Sequence, residues 1–212
     1  MSNNPVCYII CALPQNHRFS PAPGDLVIAA DGGYAHMGGI KPDLVVGDFD
    51  SLGYVPEDEQ VVRHPAEKDD TDTMLAARIG IERGYRAFVL LGGVGGRLDH
   101  TFANIQILAF LRENGARSAL IGENETITLL HNESLRFHAG LSGTVSVFSF
   151  GASANGVYER GLAYTLADAT LTDTNPFGVS NAFTGAPAEI SVREGRLVIL
   201  FAGLPEDSDL FE

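Results

Sequence analysis

Tryptophan is absent from these 212 residues, and cysteine occurs only twice. Cys7 and Cys11 fall in one apolar run; as a strand, that run sets them four residues apart on one face, too far for easy bridging. They read as reduced core residues of a cytoplasmic protein, not as a disulfide, metal or redox pair. Basic residues are scarce: 14 Lys and Arg stand against 27 Asp and Glu, a formal net charge of −13. A nucleic-acid partner needs a basic patch, and nothing here supplies one. No run of about 20 apolar residues occurs, so no membrane-spanning helix is expected. Met1–Pro5 carries no basic residue and reads as lacking a secretory signal. Neither a G-x-x-x-x-G-K-[ST] phosphate loop nor a G-x-G-x-x-G fingerprint after the first strand is present.

What is present is a chain of 45% hydrophobic residues, enough for a sizeable core, whose patterning changes partway along. Up to about residue 120, short apolar runs alternate with segments of helical period. The runs are Val6–Leu13, Leu26–Ala30, Leu44–Val46, Val61–Arg63, Ala87–Leu91 and Ser118–Ile121. After Asp70-Thr71, the residues Leu75, Ala76 and Ile79 share a helical face and Gly84 closes the segment. A second helix begins near His100, with Ile105, Leu108 and Ala109 on one face and Gly115 past its end. Such alternation predicts a mostly parallel, Rossmann-like sheet covered by helices, with ligands at the carboxyl ends of its strands. Beyond residue 124 the helical period disappears. Thr126–Leu130, Leu135–Phe137, Thr144–Phe150, Gly156–Tyr158, Ala169–Leu171, Glu189–Val192 and Leu197–Phe201 are short, β-rich and separated by turn residues. They predict an antiparallel β-sandwich. The expected domains are therefore 1–123, α/β, and 124–212, all-β.

Four Asp-bearing turns fall at the predicted strand ends or helix starts: Asp31-Gly32-Gly33, Gly47-Asp48-Phe49-Asp50-Ser51, Lys68-Asp69-Asp70-Thr71-Asp72 and Gly92–His100. In a parallel sheet these turns emerge on one edge, so they are expected to converge on one cleft. Asp48 and Asp50, at i and i+2, project to one side, and Mg²⁺ is commonly held by one or two carboxylates together with substrate phosphates. A structural turn accounts equally for that pair. Asp72 lies in the first turn of the helix that Asp70 or Thr71 caps, where the helix dipole favours a carboxylate with or without a metal. Lys68 beside this acidic cluster can neutralise a phosphate oxygen. In the glycine-rich turn, backbone N–H groups can approach phosphates closely, Arg97 offers a planar donor fork, and Asp99 and His100 open a helix. A flexible turn with a surface arginine is the plainer reading of the same residues. Tyr164 and Ser180-Asn181, taken alone, are turn and core residues of the β half.

Together these stretches resemble the thiamine pyrophosphokinase family. The likeness is carried by Ala30-Asp31-Gly32-Gly33, by Pro42–Ser51, by Lys68–Asp72, and by Gly95-Gly96-Arg97-Leu98-Asp99-His100 with Asn104 a turn later; Gly161-Leu162 and Ser180-Asn181 add to it. The motifs occur in the family's order and spacing over nearly the whole chain. The resemblance implies an α/β domain that binds ATP and Mg²⁺, a β-sandwich that binds thiamine, and a homodimer whose active sites are shared between subunits. It implies transfer of a pyrophosphoryl group from ATP to thiamine, giving thiamine diphosphate and AMP. Asp48, Asp50 and Asp72 are then the Mg²⁺ ligands, and Asp50, Asp72 and Arg97 the catalytic groups. Lys68, Gly95, Gly96, Arg97, Asp99 and His100 are assigned to the nucleotide, and Asp31, Thr71, Tyr164, Ser180 and Asn181 to substrate binding, with Ser180 and Asn181 on the thiamine ring. One departure stands out: many relatives carry Lys-Trp after the Gly-Leu pair, where this chain has Ala163-Tyr164. Three other readings stay open: a pyrophosphokinase acting on another alcohol such as a pterin, a non-catalytic thiamine or nucleotide sensor, and a metal-dependent phosphohydrolase.

Overall fold

The computed structural model describes residues 4–14, 16–49, 53–56, 60–63 and 70–212. They form two compact units, 2–123 and 124–212. In the first unit, β1 (Val6–Ile10), β2 (Leu26–Ala30), β3 (Leu44–Gly47), β4 (Val61–Arg63), β5 (Ala87–Leu91) and β6 (Arg117–Ile121) are joined in part by helices α1 (Asp72–Glu82) and α2 (Leu98–Glu113). The strands lie in the order β6-β5-β1-β2-β3-β4. Every pairing among them is parallel. β2, β3 and β5 are buried at every position, as expected for parallel strands covered on both faces. The mostly parallel α/β sheet read from the sequence is therefore present.

Helix α1 starts where its cap begins. Thr71 is extended, and its Oγ1 accepts the Met74 N–H at 3.2 Å. Gly84, with φ of 91°, follows its end. The first strand is shorter than the apolar run Val6–Leu13, although Cys11 N–H still donates to the Leu91 carbonyl at 2.7 Å. Where the sequence showed only a turn after β2, the chain forms a short 3-10 helix, Asp31–His36.

The second unit holds β7 (Thr126–His131), β8 (Ser134–Phe137), β9 (Thr144–Ser149), β10 (Ala154–Arg160), β11 (Leu166–Leu171), β12 (Asn181–Ala182), β13 (Ala188–Glu194) and β14 (Arg196–Phe201). β12-β9-β14-β7 and β11-β10-β13-β8 are its two sets of neighbouring strands, and all of their pairings are antiparallel. Alternation drives this half: on β13, Ala188, Ile190 and Val192 are buried while Glu189, Ser191 and Arg193 face outward. Phe137 of β8 meets Phe201 of β14 edge-on at 5.1 Å and Phe183 at 5.0 Å, joining the two sets through one aromatic core. Strand β12, only two residues long, is too brief for any periodicity to reveal it.

Candidate active site

Because β2 and β3 run parallel, the residues after them emerge on the same edge of the sheet. Asp31 follows β2 directly and Asp48 follows β3. Asp72, the first residue of α1, brings a third carboxylate to them. One oxygen from each of Asp31, Asp48 and Asp72 lies within 4.8 Å of the others. Asp31 is 7% exposed, and its Oδ1 is buried without a hydrogen-bond partner among the described residues. Its backbone has φ of 43°, a left-handed conformation. Such a conformation at a non-glycine residue costs about 1–3 kcal/mol and persists where the surroundings enforce it. Part of that enforcement is visible in Gly47, the last residue of β3. A Cβ there would lie 3.0 Å from the Asp31 Cβ and 3.2 Å from its Cα. Phe49 is also left-handed, with φ of 66°, and its ring is 4% exposed. Asp50 and Lys68, both assigned to the site from the sequence, lie outside the described residues.

The three Asp residues nearest the start of α1 part ways. Asp72 joins the cluster, whereas Asp70 accepts from Arg78 Nε at 2.7 Å and Nη2 at 3.4 Å. Asp69 lies outside the described residues. Thr71 turns its hydroxyl to the helix cap.

The glycine-rich turn after β5 reaches the same edge, since β5, β1 and β2 are parallel. Gly92 has φ of 69°, and a Cβ on it would fall on the Leu13 carbonyl oxygen, so only glycine fits. Asn104, buried on α2, donates from Nδ2 to the Gly93 carbonyl at 2.8 Å and holds the turn from below. Gly95 N–H donates to Thr101 Oγ1 at 3.0 Å. Gly95, Gly96, Arg97, Asp99 and His100 are all exposed. Arg97 donates to Asp99 from Nη2 at 2.6 Å and from Nε at 3.2 Å, and Asp99 also accepts the His100 N–H at 3.0 Å. The Arg97 guanidinium, aided by that N–H, holds the Asp99 carboxyl below the usual carboxylate range.

In the β unit, the segment Gly161–Tyr164 lies against β12. Ala163 N–H donates to the Ala182 carbonyl at 2.9 Å, and Leu162 bridges Phe183. Tyr164 is 72% exposed. Ser180 is exposed and left-handed, with φ of 61°, and its N–H donates to Ser146 Oγ at 3.0 Å. Asn181 is buried and its amide is saturated. Oδ1 accepts the N–H groups of Tyr164 at 2.9 Å and Ala182 at 2.8 Å; Nδ2 donates to the Tyr164 carbonyl at 2.7 Å and to Glu159 Oε2 at 2.6 Å. The predicted residues Tyr164, Ser180 and Asn181 are thus brought together, with the Asn181 side chain facing protein. Sequence reading passes over Glu159 entirely; it names Asp31 as a substrate-binding residue on one of the converging Asp-bearing turns, and the structure sets it beside Asp48 and Asp72. For Asp31 the available signal is its position: an acid directly after a fully apolar strand and before two glycines.

Fold and site together define a class: a parallel α/β unit with three carboxylates and a glycine-rich turn on one sheet edge, followed by an antiparallel β unit. Family models match both halves. "Thiamin pyrophosphokinase, catalytic domain" matches residues 22–120, and "Thiamin pyrophosphokinase, vitamin B1 binding domain" matches residues 130–197. The chain belongs to the thiamin pyrophosphokinase family. It is 24% identical over 188 residues to thiamine pyrophosphokinase 1 of Oryza sativa subsp. japonica, covering 81% of this chain and 70% of that protein. Thiamine pyrophosphokinase of Bacillus subtilis has the same fold, with a TM-score of 0.80 at 23% identity over 93% of this chain and 98% of the other. The Candida albicans thiamin pyrophosphokinase aligns with a TM-score of 0.73 at 16% identity, covering 94% and 90% of the two chains. Among the described residues, no helix is long and apolar enough to cross a membrane.

Proposed function

We propose that this enzyme transfers a pyrophosphoryl group from ATP to the hydroxyl of thiamine, releasing AMP and thiamine diphosphate. The observation that carries the reading is the carboxylate cluster Asp31–Asp48–Asp72, set on the sheet edge of a chain whose two halves both match the family. A donor set made only of carboxylates suits a hard dication, and the buried Oδ1 of Asp31, without a hydrogen-bond partner among the described residues, is the kind of atom an ion would satisfy. Asp31, Asp48 and Asp72 would hold Mg²⁺, with Asp50 joining them on the strength of the sequence motif. Bound there, the ion would neutralise phosphate charge.

The chain's own groups do the rest. Gly95 and Gly96, exposed in the glycine-rich turn, let a phosphate approach the backbone closely, and Arg97 and Lys68 balance the charge that builds on the departing AMP oxygen. Asp99 holds the Arg97 fork in place, and His100 flanks the nucleotide. Asp50 or Asp72 accepts the hydroxyl proton, late in a loose transition state that asks mainly for positioning. Tyr164 presents an aromatic face to the cationic thiazolium or the pyrimidine, in the position where many relatives carry Trp. Ser180 supplies a polar contact beside it. A cytoplasmic homodimer completes the proposal; the buried, unpaired Cys7 and Cys11 suit a reducing compartment, and the dimer rests on the family likeness.

AMP release from ATP by the purified protein, with and without thiamine and with and without EDTA, tests the reading. Thiamine-dependent AMP matched by thiamine diphosphate, and abolished by EDTA, is the expected result. Phosphate or AMP release indifferent to thiamine overturns it in favour of a hydrolase or another acceptor. Thiamine binding without turnover overturns it in favour of a sensor.

A further inference from the structure

Glu159 is the odd member of the β unit's interior. It sits on β10 in the inward-facing register with Val157, is 2% exposed, and leaves its Oε1 buried with no hydrogen-bond partner among the described residues. A buried acid with an orphaned oxygen is a costly choice at a position where a hydrophobic residue would simply pack. Its other oxygen, Oε2, accepts from Asn181 Nδ2 at 2.6 Å, the short separation of a charge-assisted bond.

We propose that Glu159 is a positioning residue for the acceptor site: it completes the hydrogen bonding of the Asn181 amide, which in turn clamps Tyr164 through both of that residue's backbone groups. An asparagine amide has two donors and an acceptor oxygen with two lone pairs, and here all four positions are taken. Three of them go to the backbone of Tyr164 and Ala182. Glu159 takes the fourth, and without it one Nδ2 hydrogen is buried unpaired and the amide is free to rock. Tyr164 feels that rocking directly, because its N–H and its carbonyl are both held by this one amide. A side chain as exposed as Tyr164 has little packing of its own to fix its direction, so the clamp sets where the ring stands. Asn181 therefore acts on the acceptor through Tyr164 without touching it. The inference rests on the proposed thiamine activity and extends it to a residue two positions before the Gly161-Leu162 pair.

The test is a double-mutant cycle in the full-length protein between Glu159→Leu and Tyr164→Ala, read as KM for thiamine, KM for ATP and kcat. Glu159→Leu is expected to raise KM for thiamine about three- to tenfold with kcat and KM for ATP within about twofold, the loss of a single buried hydrogen bond. Glu159→Gln, which can keep an oxygen on Asn181, is expected to restore KM for thiamine to within about twofold of wild type. In the Tyr164→Ala background, Glu159→Leu is expected to add nothing further. Additive effects in the cycle, or a Glu159→Leu enzyme that is well folded with unchanged KM for thiamine, overturn the relay. Should Glu159→Leu fail to fold, the Glu159→Gln arm still decides: a KM for thiamine raised about tenfold in that folded variant overturns it. A wild-type protein with no thiamine-dependent AMP release overturns the parent activity instead, which the wild-type arm shows before any variant is made.

Discussion

Gly47 lies against Asp31 so closely that a single added methyl would meet it: a Cβ built on Gly47 stands 3.0 Å from the Asp31 Cβ. The end of β3 thus makes room for the carboxylate at the end of β2, and the left-handed turn at Asp31 is what the space permits. Gly47→Ala should push Asp31 out of the cluster. Overpacking of this kind typically costs about 1–3 kcal/mol in stability. A fall in kcat of about ten- to a hundredfold is expected, since an ångström of misplacement in a positioned group costs that much. Wild-type turnover in a folded Gly47→Ala enzyme would refute the role given to Asp31.

Asp31 offers a test that needs no substrate. If its buried Oδ1 is completed by a divalent ion, Mg²⁺ should raise the melting temperature of the wild-type protein. The stabilisation reaches about 2.7 kcal/mol at about a hundred times the Kd. Asp31→Asn should lose most of that Mg²⁺-dependent increase while keeping its fold. An equal increase in both proteins, measured by thermal unfolding across a Mg²⁺ titration, removes Asp31 from the metal site.

Asp70 and Asp72 are two residues apart and should behave as opposites. Asp70 is tied to Arg78 in a pair whose side chains are 35% and 43% exposed, and such surface pairs contribute about 0–1 kcal/mol. Asp70→Asn should therefore leave kcat within about twofold. Asp72→Asn removes a carboxylate from the cluster and should lower kcat by about two to three orders of magnitude at similar stability. Steady-state kinetics on the two variants, with melting curves as control, separates the surface ion pair from the catalytic carboxylate.

Much of the fold is legible because parallel strands buried on both faces read as unbroken apolar runs: Leu26–Ala30 and Ala87–Leu91 begin and end as the sequence predicts. What escapes is set by tertiary contact. The 3-10 turn after β2 has no periodicity to announce it, and the close fit of Asp31 against Gly47 is a contact that no local pattern encodes. At the site, Asp48 and Asp72 stand out by motif position, and the structure gathers them. Asp31 stands out as well, and the parallel sheet read from the sequence already sets its turn on the edge that carries Asp48. Asn181 is legible as a residue of the acceptor motif, yet its hydrogen bonds all turn inward, and Glu159 looks like one more strand residue. Burial of a charged side chain is invisible when neither its register nor its partner is known.

That burial makes a pH-dependent signature. Desolvation pushes the Glu159 carboxyl above the usual glutamate range, and the hydrogen bond from Asn181 opposes the rise only in part. With the folded-state pKa raised, the native protein binds more protons than the unfolded chain between the unfolded and folded values. Stability from this group is therefore complete below the unfolded pKa, and it declines as pH rises through that window. Glu159→Gln has no proton to lose, so its stability should lack that decline. The measurement is the difference in unfolding free energy between the two proteins, followed from about pH 4 to about pH 8. The variant should gain on the wild type as pH rises, by about 1.4 kcal/mol for each tenfold difference in proton affinity between the folded and unfolded states. A constant difference over that range would mean that Glu159 titrates alike in both states, contrary to its burial against Asn181.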